Sequence, residues 1–449
     1  MTKLKPYQLD GARRIHEFGG RALLCDDMGL GKTLQTLYWL FKTPRRRPVV
    51  IVCPASLKWT WQAEAALHLN MRTEVLEGNA NGRRVLPGDI VILNYDILKS
   101  WLPALLRARP QCVVFDEVHY VKSLQAQRTR AAIKLVSNVP AVIGISGTPL
   151  TNRPIELWSV MKLIRPDVFP SREVYAWTFC KPRHTIWGWK YDGAAKLPKL
   201  HRILRETCMI RRLKSEVLPE LPDKQRKVIS FKLTSYAEYH KAETDFLGWL
   251  RELSPARANR AKRSQALTKV GYLFRLAARL KLEWTTRWIA DFLESYPGEK
   301  LVALTMHTFV IDHLKARFPR SVVVDGRVVG RKRDETVRKF QSNKQVDLFL
   351  GNWKAAGQGI TLHAAHNFAA LDFPWTPGDM LQGEDRIHRI GQKKLCLVHY
   401  LMALGTIEEK WVRILRRKAG VLDAILNGRG RSTDLDIFDE LLKELRGKH

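Results

Sequence analysis

Short apolar runs alternate with helix-length segments in two separate blocks of this chain, and that alternation leaves few folds open. The first block carries its runs at Ala22–Cys25, Val49–Cys53, Ile90–Asn94, Val113–Phe115 and Val142–Ile145. The second carries them at Leu301–Thr305, Val322–Val324, Asp347–Leu350, Phe368–Asp372 and Leu397–Leu401. A strand buried on both faces reads as a near-continuous apolar run, and strand–helix alternation supplies the covering helices. The expectation is α/β, with two parallel-sheet lobes. Between them, from Arg165 to Pro297, the pattern changes to a Trp-, Pro- and Lys-rich stretch (Tyr175–Lys199) and then to a mostly helical region. The chain from Thr406 reads as helix, interrupted by Gly428-Arg429-Gly430-Arg431.

Two motifs of the first block carry chemistry. The run Ala22–Cys25 leads into Asp26-Asp27-Met28-Gly29-Leu30-Gly31-Lys32-Thr33, a phosphate-loop pattern in which Asp26 stands where the first glycine would be. Gly29 and Gly31 let backbone N–H groups close on phosphate oxygens, Lys32 reaches the β- and γ-phosphates, and the Thr33 hydroxyl holds Mg²⁺. Asp116-Glu117-Val118-His119 follows the run Cys112–Phe115. Asp116 at a strand end completes the Mg²⁺ shell through water, and Glu117 orients and deprotonates the attacking water. Together they describe a nucleoside-triphosphate hydrolase, where either alone is matched by an ordinary turn or acidic strand end. His119 is expected to couple the ATP site to the lobe cleft, against a plain core-histidine reading.

In the second block, Gln382 to Gln392 contains Arg386 and Arg389. On a helix that spacing puts both guanidinium groups on one face. Their block has no phosphate-loop lysine of its own, so they read as arginine fingers for phosphates bound on the first block. The plainer alternative is a surface helix with an Asp385–Arg389 salt bridge.

Composition suggests what the energy is spent on. Lys and Arg number 76 against 44 Asp and Glu, a net charge of +32, with a pI near 10.1. A chain this basic is expected to have a polyanion as partner. A membrane is disfavoured, because no run approaches the roughly 18 apolar residues of a spanning helix and the opening Met1–Pro6 lacks a signal-peptide core. The cysteines, at 25, 53, 112, 180, 208 and 396, form no C-x-x-C pair, which argues against a zinc ribbon or disulfide framework and for a reducing compartment. From 251 to 281 there are nine Lys/Arg and one acid, Glu252. Arg275 and Arg279 share a helical face there and either line a DNA channel or are solvated. Trp177, Trp187, Trp189 and Tyr191 either stack on exposed bases or pack a small insertion.

In these motifs and their order the chain resembles superfamily 2 helicases, and within them the SWI/SNF-type double-stranded DNA translocases. Leu4–Gly11 is similar to the adenine-reading Q motif, with Gln8 the reader, and Asp26–Thr33 to the family's phosphate loop with Asp27 in place of Glu. Val52–Leu57 with Trp61 resembles motif Ia and Asn94-Tyr95-Asp96 motif Ib. Ser146–Pro149 resembles motif III, Ala356–Leu362 motif V, and Gln382–Gln392 motif VI. The resemblance implies two RecA-like lobes with helical insertions between them and a C-terminal helical brace. It implies ATP bound by Gln8, Asp26, Asp27, Met28, Gly29, Leu30, Gly31, Lys32 and Thr33, and coupling by His119, Ser146, Gly147, Thr148, Gly359 and Gln382. Catalysis falls to Lys32, Asp116, Glu117, Arg386 and Arg389. DNA contacts are expected at Ser56, Lys58, Asn94, Thr361, Arg275 and Arg279. Phe179–Leu204, Met209–Val217 and Thr361 resemble the annealing-helicase branch, whereas His363 and Thr376 replace the family's commoner Thr and Asn.

The expected organisation is lobe one over 1–165, an insertion and inter-lobe crossing over 166–228, a basic helical insertion over 229–297, lobe two over 298–405 and a helical brace over 406–449. The expected activity is an ATP- and Mg²⁺-dependent monomeric motor on double-stranded or branched DNA, with sequence-independent contacts. A strand-separating helicase, an RNA-dependent ATPase and a non-catalytic DNA-binding scaffold are the rivals. The expected location is cytoplasm or nucleoid in a bacterial or viral setting, suggested by compactness, and nucleus in a eukaryote.

Overall fold

The computed structural model describes residues 4–428, apart from 70, 84, 86–89, 150–152, 186–187, 192, 253–259 and 357–358. Trp187, Gly357, Gln358 and Arg429-Gly430-Arg431 therefore lie outside the described residues, as does part of the basic run from 251. The described chain divides into two compact units, one of residues up to Pro219 together with residues 420–428, the other of Glu220–Ala419.

The first unit contains β1 (Arg21–Leu24), β2 (Val49–Cys53), β3 (Thr73–Val75), β4 (Ile90–Asn94), β5 (Cys112–Asp116), β6 (Ala141–Ile145), a hairpin of β7 (Arg183–Thr185) and β8 (Gly188–Lys190), and β9 (Met209–Ile210). All but the hairpin form one seven-stranded parallel sheet in the order β3-β4-β2-β5-β6-β1-β9. Side chains alternate across it: Leu23, Val50, Val91 and Val113 enter one core, and Ala22, Leu24, Ile51 and Val114 the other. This double burial is why the strands read as unbroken apolar runs. β6 lies between β1 and β5, with Ile145 in register with both Leu24 and Asp116. The loops after these three strands therefore open on one edge of the sheet, the usual ligand side of an α/β fold. Near the C-terminus, Ala424, Ile425 and Leu426 join this unit's core, and His201 Nδ1 lies 2.8 Å from the Ile425 carbonyl.

The second unit contains β10 (Lys224–Phe231), β11 (Leu301–Thr305), β12 (Val322–Val324), β13 (Leu348–Asn352), β14 (Asn367–Ala370) and β15 (Cys396–Ala403). They form a parallel sheet in the order β10-β15-β14-β11-β13-β12. Val302, Leu304 and Phe368 face one core and Leu301, Ala303 and Ala369 the other. β10 crosses position 228, where the sequence suggested a boundary between crossing and helical insertion. Its Lys-Gln-Arg-Lys-Val-Ile-Ser-Phe sequence is mostly exposed and pairs only with β15. An edge strand of this kind has no continuous apolar run to betray it.

Candidate functional site

The loop after β1 runs into helix α2 (Lys32–Lys42), whose first residue is the phosphate-loop lysine. Lys32 Nζ donates to the carbonyl oxygens of Asp26 at 2.8 Å and Asp27 at 3.1 Å. Burial lowers the pKa of this ammonium, opposed by the charges of Glu117 and Asp26. Gly31 adopts φ +73°, and a Cβ there would stand 2.5 Å from Gln8 Nε2. Only glycine provides both the left-handed backbone and the room. Gln8, on helix α1 (Pro6–Glu17), donates to the Leu30 carbonyl at 3.3 Å and so lies directly on the loop.

The two aspartates at the head of the loop act as struts. Asp26 is fully buried, with Oδ2 accepting from Gln35 Nε2 at 3.0 Å and lying 3.8 Å from the Arg212 guanidinium. Asp27 pairs with Arg211 at 2.7 Å and accepts from the Lys214 backbone N–H at 3.1 Å. Arg211 also donates to the Cys25 carbonyl at 2.7 Å. Sequence reasoning passed over Gln35, Arg211 and Arg212 as site residues. The signal available was the basic pair directly after Met209–Ile210, which become β9 beside β1, with Leu24 opposite Ile210.

The acids follow β5. Asp116 Oδ2 accepts from Trp61 Nε1 at 2.8 Å, its Oδ1 from the Glu117 N–H at 2.9 Å, and its carbonyl from Tyr95 Oη at 2.7 Å. Trp61 and Tyr95, from the segments that resemble motifs Ia and Ib, are thus buried supports of this carboxylate. Trp61 belongs to helix α3 (Lys58–Leu69). Burial, reinforced by the Glu117 charge, pushes the Asp116 carboxyl up, while Glu117, whose burial would raise it, is held down by His119 and Lys32. Glu117 has φ +50° and ψ +56°, a left-handed conformation that costs a non-glycine residue on the order of 1 kcal/mol and aims its side chain at β6. There Ser146 Oγ donates to Glu117 Oε2 at 3.0 Å. His119 Nδ1 lies 3.3 Å from Ser146 Oγ and 3.4 Å from Glu117 Oε2, and the Thr148 N–H donates to Ser146 Oγ at 3.1 Å. A Cβ on Gly147 would come within 2.9 Å of Met28 and 3.6 Å of Lys32 Nζ. The structure therefore brings Gln8, Lys32, Asp116, Glu117, His119, Ser146, Gly147 and Thr148 together along one sheet edge.

In the second unit the segment from Gln382 departs from the expected helix. The helix Pro377–Glu384 stops before Arg386, and the residues beyond turn back, with Gly391 at φ +99°. Arg386, buried, donates Nε to the Gln382 carbonyl at 2.9 Å and Nη1 to the Ile360 carbonyl at 3.0 Å. Arg389 donates Nε to the Asp385 carbonyl at 2.9 Å and Nη1 to Thr361 Oγ1 at 3.1 Å. The two guanidinium groups do not share a helical face. At the end of the helix, β10 supplies Lys224 and Arg226, which hold Glu384 at 2.7 Å each, and Lys224 also holds Asp385 at 3.1 Å. Gln392 Nε2 then donates to the carbonyls of Ala365 at 2.8 Å and Ile387 at 3.1 Å, closing the turn. Gly359, at φ +66°, lies in the loop before Ile360.

Glu384 is 1 % exposed, and although burial alone would raise its pKa, Lys224 and Arg226 hold it below the ordinary carboxyl range. Glu384→Ala leaves those cations facing a buried void and is expected to cost about 3–5 kcal/mol of stability, read as a lower melting temperature. Because the folded pKa is depressed, Glu384's contribution is present above the ordinary carboxyl value of about 4.3 and is lost as pH falls through the depressed one.

The residues expected to face DNA are placed differently from one another. Ser56 is exposed, whereas Lys58 is 6 % exposed with Nζ donating to the Leu76 carbonyl at 3.1 Å, and Asn94 is buried. Arg275 and Arg279 are both exposed on the helix Arg260–Leu280; Arg275 lies over Phe309 at 5.4 Å and Arg279 pairs with Glu238. All six cysteines are buried and unpaired with each other. Among the described residues no helix is long and apolar enough to cross a membrane.

Residues 13–274 match the SNF2-related domain and residues 284–391 the helicase conserved C-terminal domain. A Xenopus tropicalis protein, "SWI/SNF-related matrix-associated actin-dependent regulator of chromatin subfamily A-like protein 1", is 31% identical over 94% of this chain and 45% of its own length. The human "DNA annealing helicase and endonuclease ZRANB3" is 32% identical over 95% of this chain and 41% of its own. The chain thus spans less than half the length of these relatives, which are animal proteins and give a bacterial or viral origin no support. The "Sulfolobus solfataricus SWI2/SNF2 ATPase core in complex with dsDNA" covers 99% of the chain at 24% identity and a TM-score of 0.46, too distant a likeness to argue from.

Proposed function

The chain belongs to the SNF2-related family, and from that premise we propose that it is a DNA-dependent ATPase that translocates on double-stranded or branched DNA, remodelling DNA or protein–DNA complexes. The observation that carries the reading is the convergence of Lys32, Asp116, Glu117 and Ser146 after three neighbouring strands, β1, β5 and β6. The donor set fits a Mg²⁺-nucleotide: a helix N-terminus with a lysine for phosphate, and the hard oxygens of Thr33 and Asp116 for the ion. Bound there, Mg²⁺ neutralises charge on the phosphates. Gln8 selects adenine. Glu117, kept ionised by its surroundings, accepts the proton of the attacking water. His119, Ser146 and Thr148 relay the state of Glu117 into the loop after β6, which makes them the coupling path. Gly359 and Gln382 serve the same purpose in the second unit, Gln382 through its carbonyl's bond from Arg386, while Thr361, bonded to Arg389, meets the DNA. Arg386 and Arg389 act on the developing phosphate charge; the family resemblance supports that role.

ATPase rate with blunt duplex, single-stranded, forked and RNA activators side by side tests the assignment. Stimulation by blunt duplex, with ATP-dependent displacement of a triplex-forming strand and little unwinding of a simple fork, is the expected result. Robust unwinding of a tailed duplex without blunt-duplex stimulation overturns it for the helicase rival, and preferential activation by RNA for the RNA-dependent one. A net charge of +32 further predicts that duplex affinity falls about a thousandfold between roughly 50 and 200 mM salt. Neutralising Arg275 and Arg279 is expected to flatten that slope without changing sequence preference. Annealing or branch migration as an output, action as a monomer, and a nuclear setting in a eukaryotic host belong to the same proposal.

A further inference from the structure

The ATP site and the DNA contacts so far considered leave unexplained an exposed aromatic pair on the first unit's insertion. Trp177, on the helix Arg172–Phe179, is 55 % exposed, and Trp189, on β8, is 48 % exposed. Their rings meet edge to face with centroids 4.8 Å apart, and His184 from β7 packs on Trp189 at 5.1 Å, its cross-strand partner in the hairpin. Val174, one turn before Trp177, is 66 % exposed beside them.

These rings are not what holds the insertion down. That task falls to other residues: Tyr175, Phe179, Cys180, Ala194, Leu197 and Leu200 enter the unit's core. The neck of the hairpin is closed where the Ala195 N–H donates to the Phe179 carbonyl at 2.9 Å, and where a Cβ on Gly193 would stand 2.9 Å from Lys181 Cβ. Tyr191, the remaining described aromatic of the stretch, packs partly on that core with Arg172 over its ring at 5.4 Å. Packing is therefore satisfied without Trp177 and Trp189. Two large rings left about half in water mark a binding surface rather than a fold requirement.

The chemistry around the pair selects the occupant. Lys181, Arg183, His184 and Lys190 lie on the hairpin, and its described residues 181–191 include no acid, Asp192 being the nearest in sequence. Exposed aromatic rings on a hairpin that also carries cations match unpaired nucleobases on a phosphate backbone: every base offers a π-face, and the cations meet the phosphates. A duplex interior offers no such face. We propose that Trp177 and Trp189 form a stacking platform for the unpaired bases of single-stranded or forked DNA, giving the motor a preference for DNA with an open end or junction. This rests on the DNA-translocase reading.

The test uses the full chain, with fluorescence anisotropy on a single-stranded oligonucleotide, a fork and a blunt duplex, all without ATP and at one salt concentration. Trp177→Ala and Trp189→Ala are each expected to weaken single-strand and fork binding roughly 5- to 150-fold, the range for loss of one base stack. Blunt-duplex binding and melting temperature should stay unchanged, and Trp177→Phe and Trp189→Tyr should restore most of the affinity. Wild-type fork binding in the double Ala variant overturns the platform and hands the patch to a protein partner. An equal loss on all three DNAs also overturns it, since base exposure then plays no part. If blunt duplex fails to stimulate the wild-type ATPase, the translocase reading falls, while the binding comparison still decides the platform.

Discussion

Abolition of ATP turnover, with the fold intact, is the expected result of Lys32→Ala. The lysine's structural bonds are two donations to loop carbonyls at 2.8 and 3.1 Å, while the strands that flank it are cored by apolar residues from both faces. Its removal therefore leaves the sheet standing and takes away the cation that meets the phosphates. Glu117→Gln provides the companion measurement. The amide keeps the shape and still accepts from Ser146, but it is no longer a base, and general-base loss is worth ~10²–10⁴ in rate. Nucleotide binding should survive in Glu117→Gln and turnover should not. Steady-state hydrolysis beside fluorescent-nucleotide binding separates the two, and substantial turnover in Lys32→Ala would refute the phosphate-loop assignment.

Arg389→Ala is expected to lower kcat by ~10³–10⁵, the effect of removing an arginine that stabilises charge in phosphoryl transfer. Nucleotide affinity should change little, because the groups assigned to binding lie on the first unit. Arg389→Lys should not rescue, since a point charge does not reproduce a planar fork. Arg386→Ala should behave differently. Its guanidinium is 2 % exposed and ties the carbonyls of Gln382 and Ile360, so its loss lowers the melting temperature together with the rate. Wild-type kcat in Arg389→Ala would leave the second unit with no part in hydrolysis.

The sequence by itself determined the two parallel sheets, because each central strand is buried on both faces and must be apolar throughout. It also offered the candidate site residues, since a phosphate loop and a strand-end acid pair need particular side chains at particular places: Lys32, Thr33, Asp116 and Glu117 stand at those places in the sequence. Only the tertiary structure decided what holds them. That Trp61 and Tyr95 support Asp116, or that Arg211 and Arg212 brace the two loop aspartates, depends on strand order, which brings residues far apart in sequence within hydrogen-bond reach. The helical spacing of Arg386 and Arg389 misled for the same reason. Local periodicity favours a continued helix, but the chain leaves it after Glu384, whose carboxylate pairs with Lys224 and Arg226 on an edge strand with no apolar signature. Gln392 holds the segment beyond through the carbonyls of Ala365 and Ile387. Likewise, sequence supplied the tryptophans of the insertion, but not which would be buried. Burial is settled by which rings the core already has room for, and among the described aromatic residues of the insertion Trp177 and Trp189 lie about half exposed while Tyr175 and Phe179 are buried.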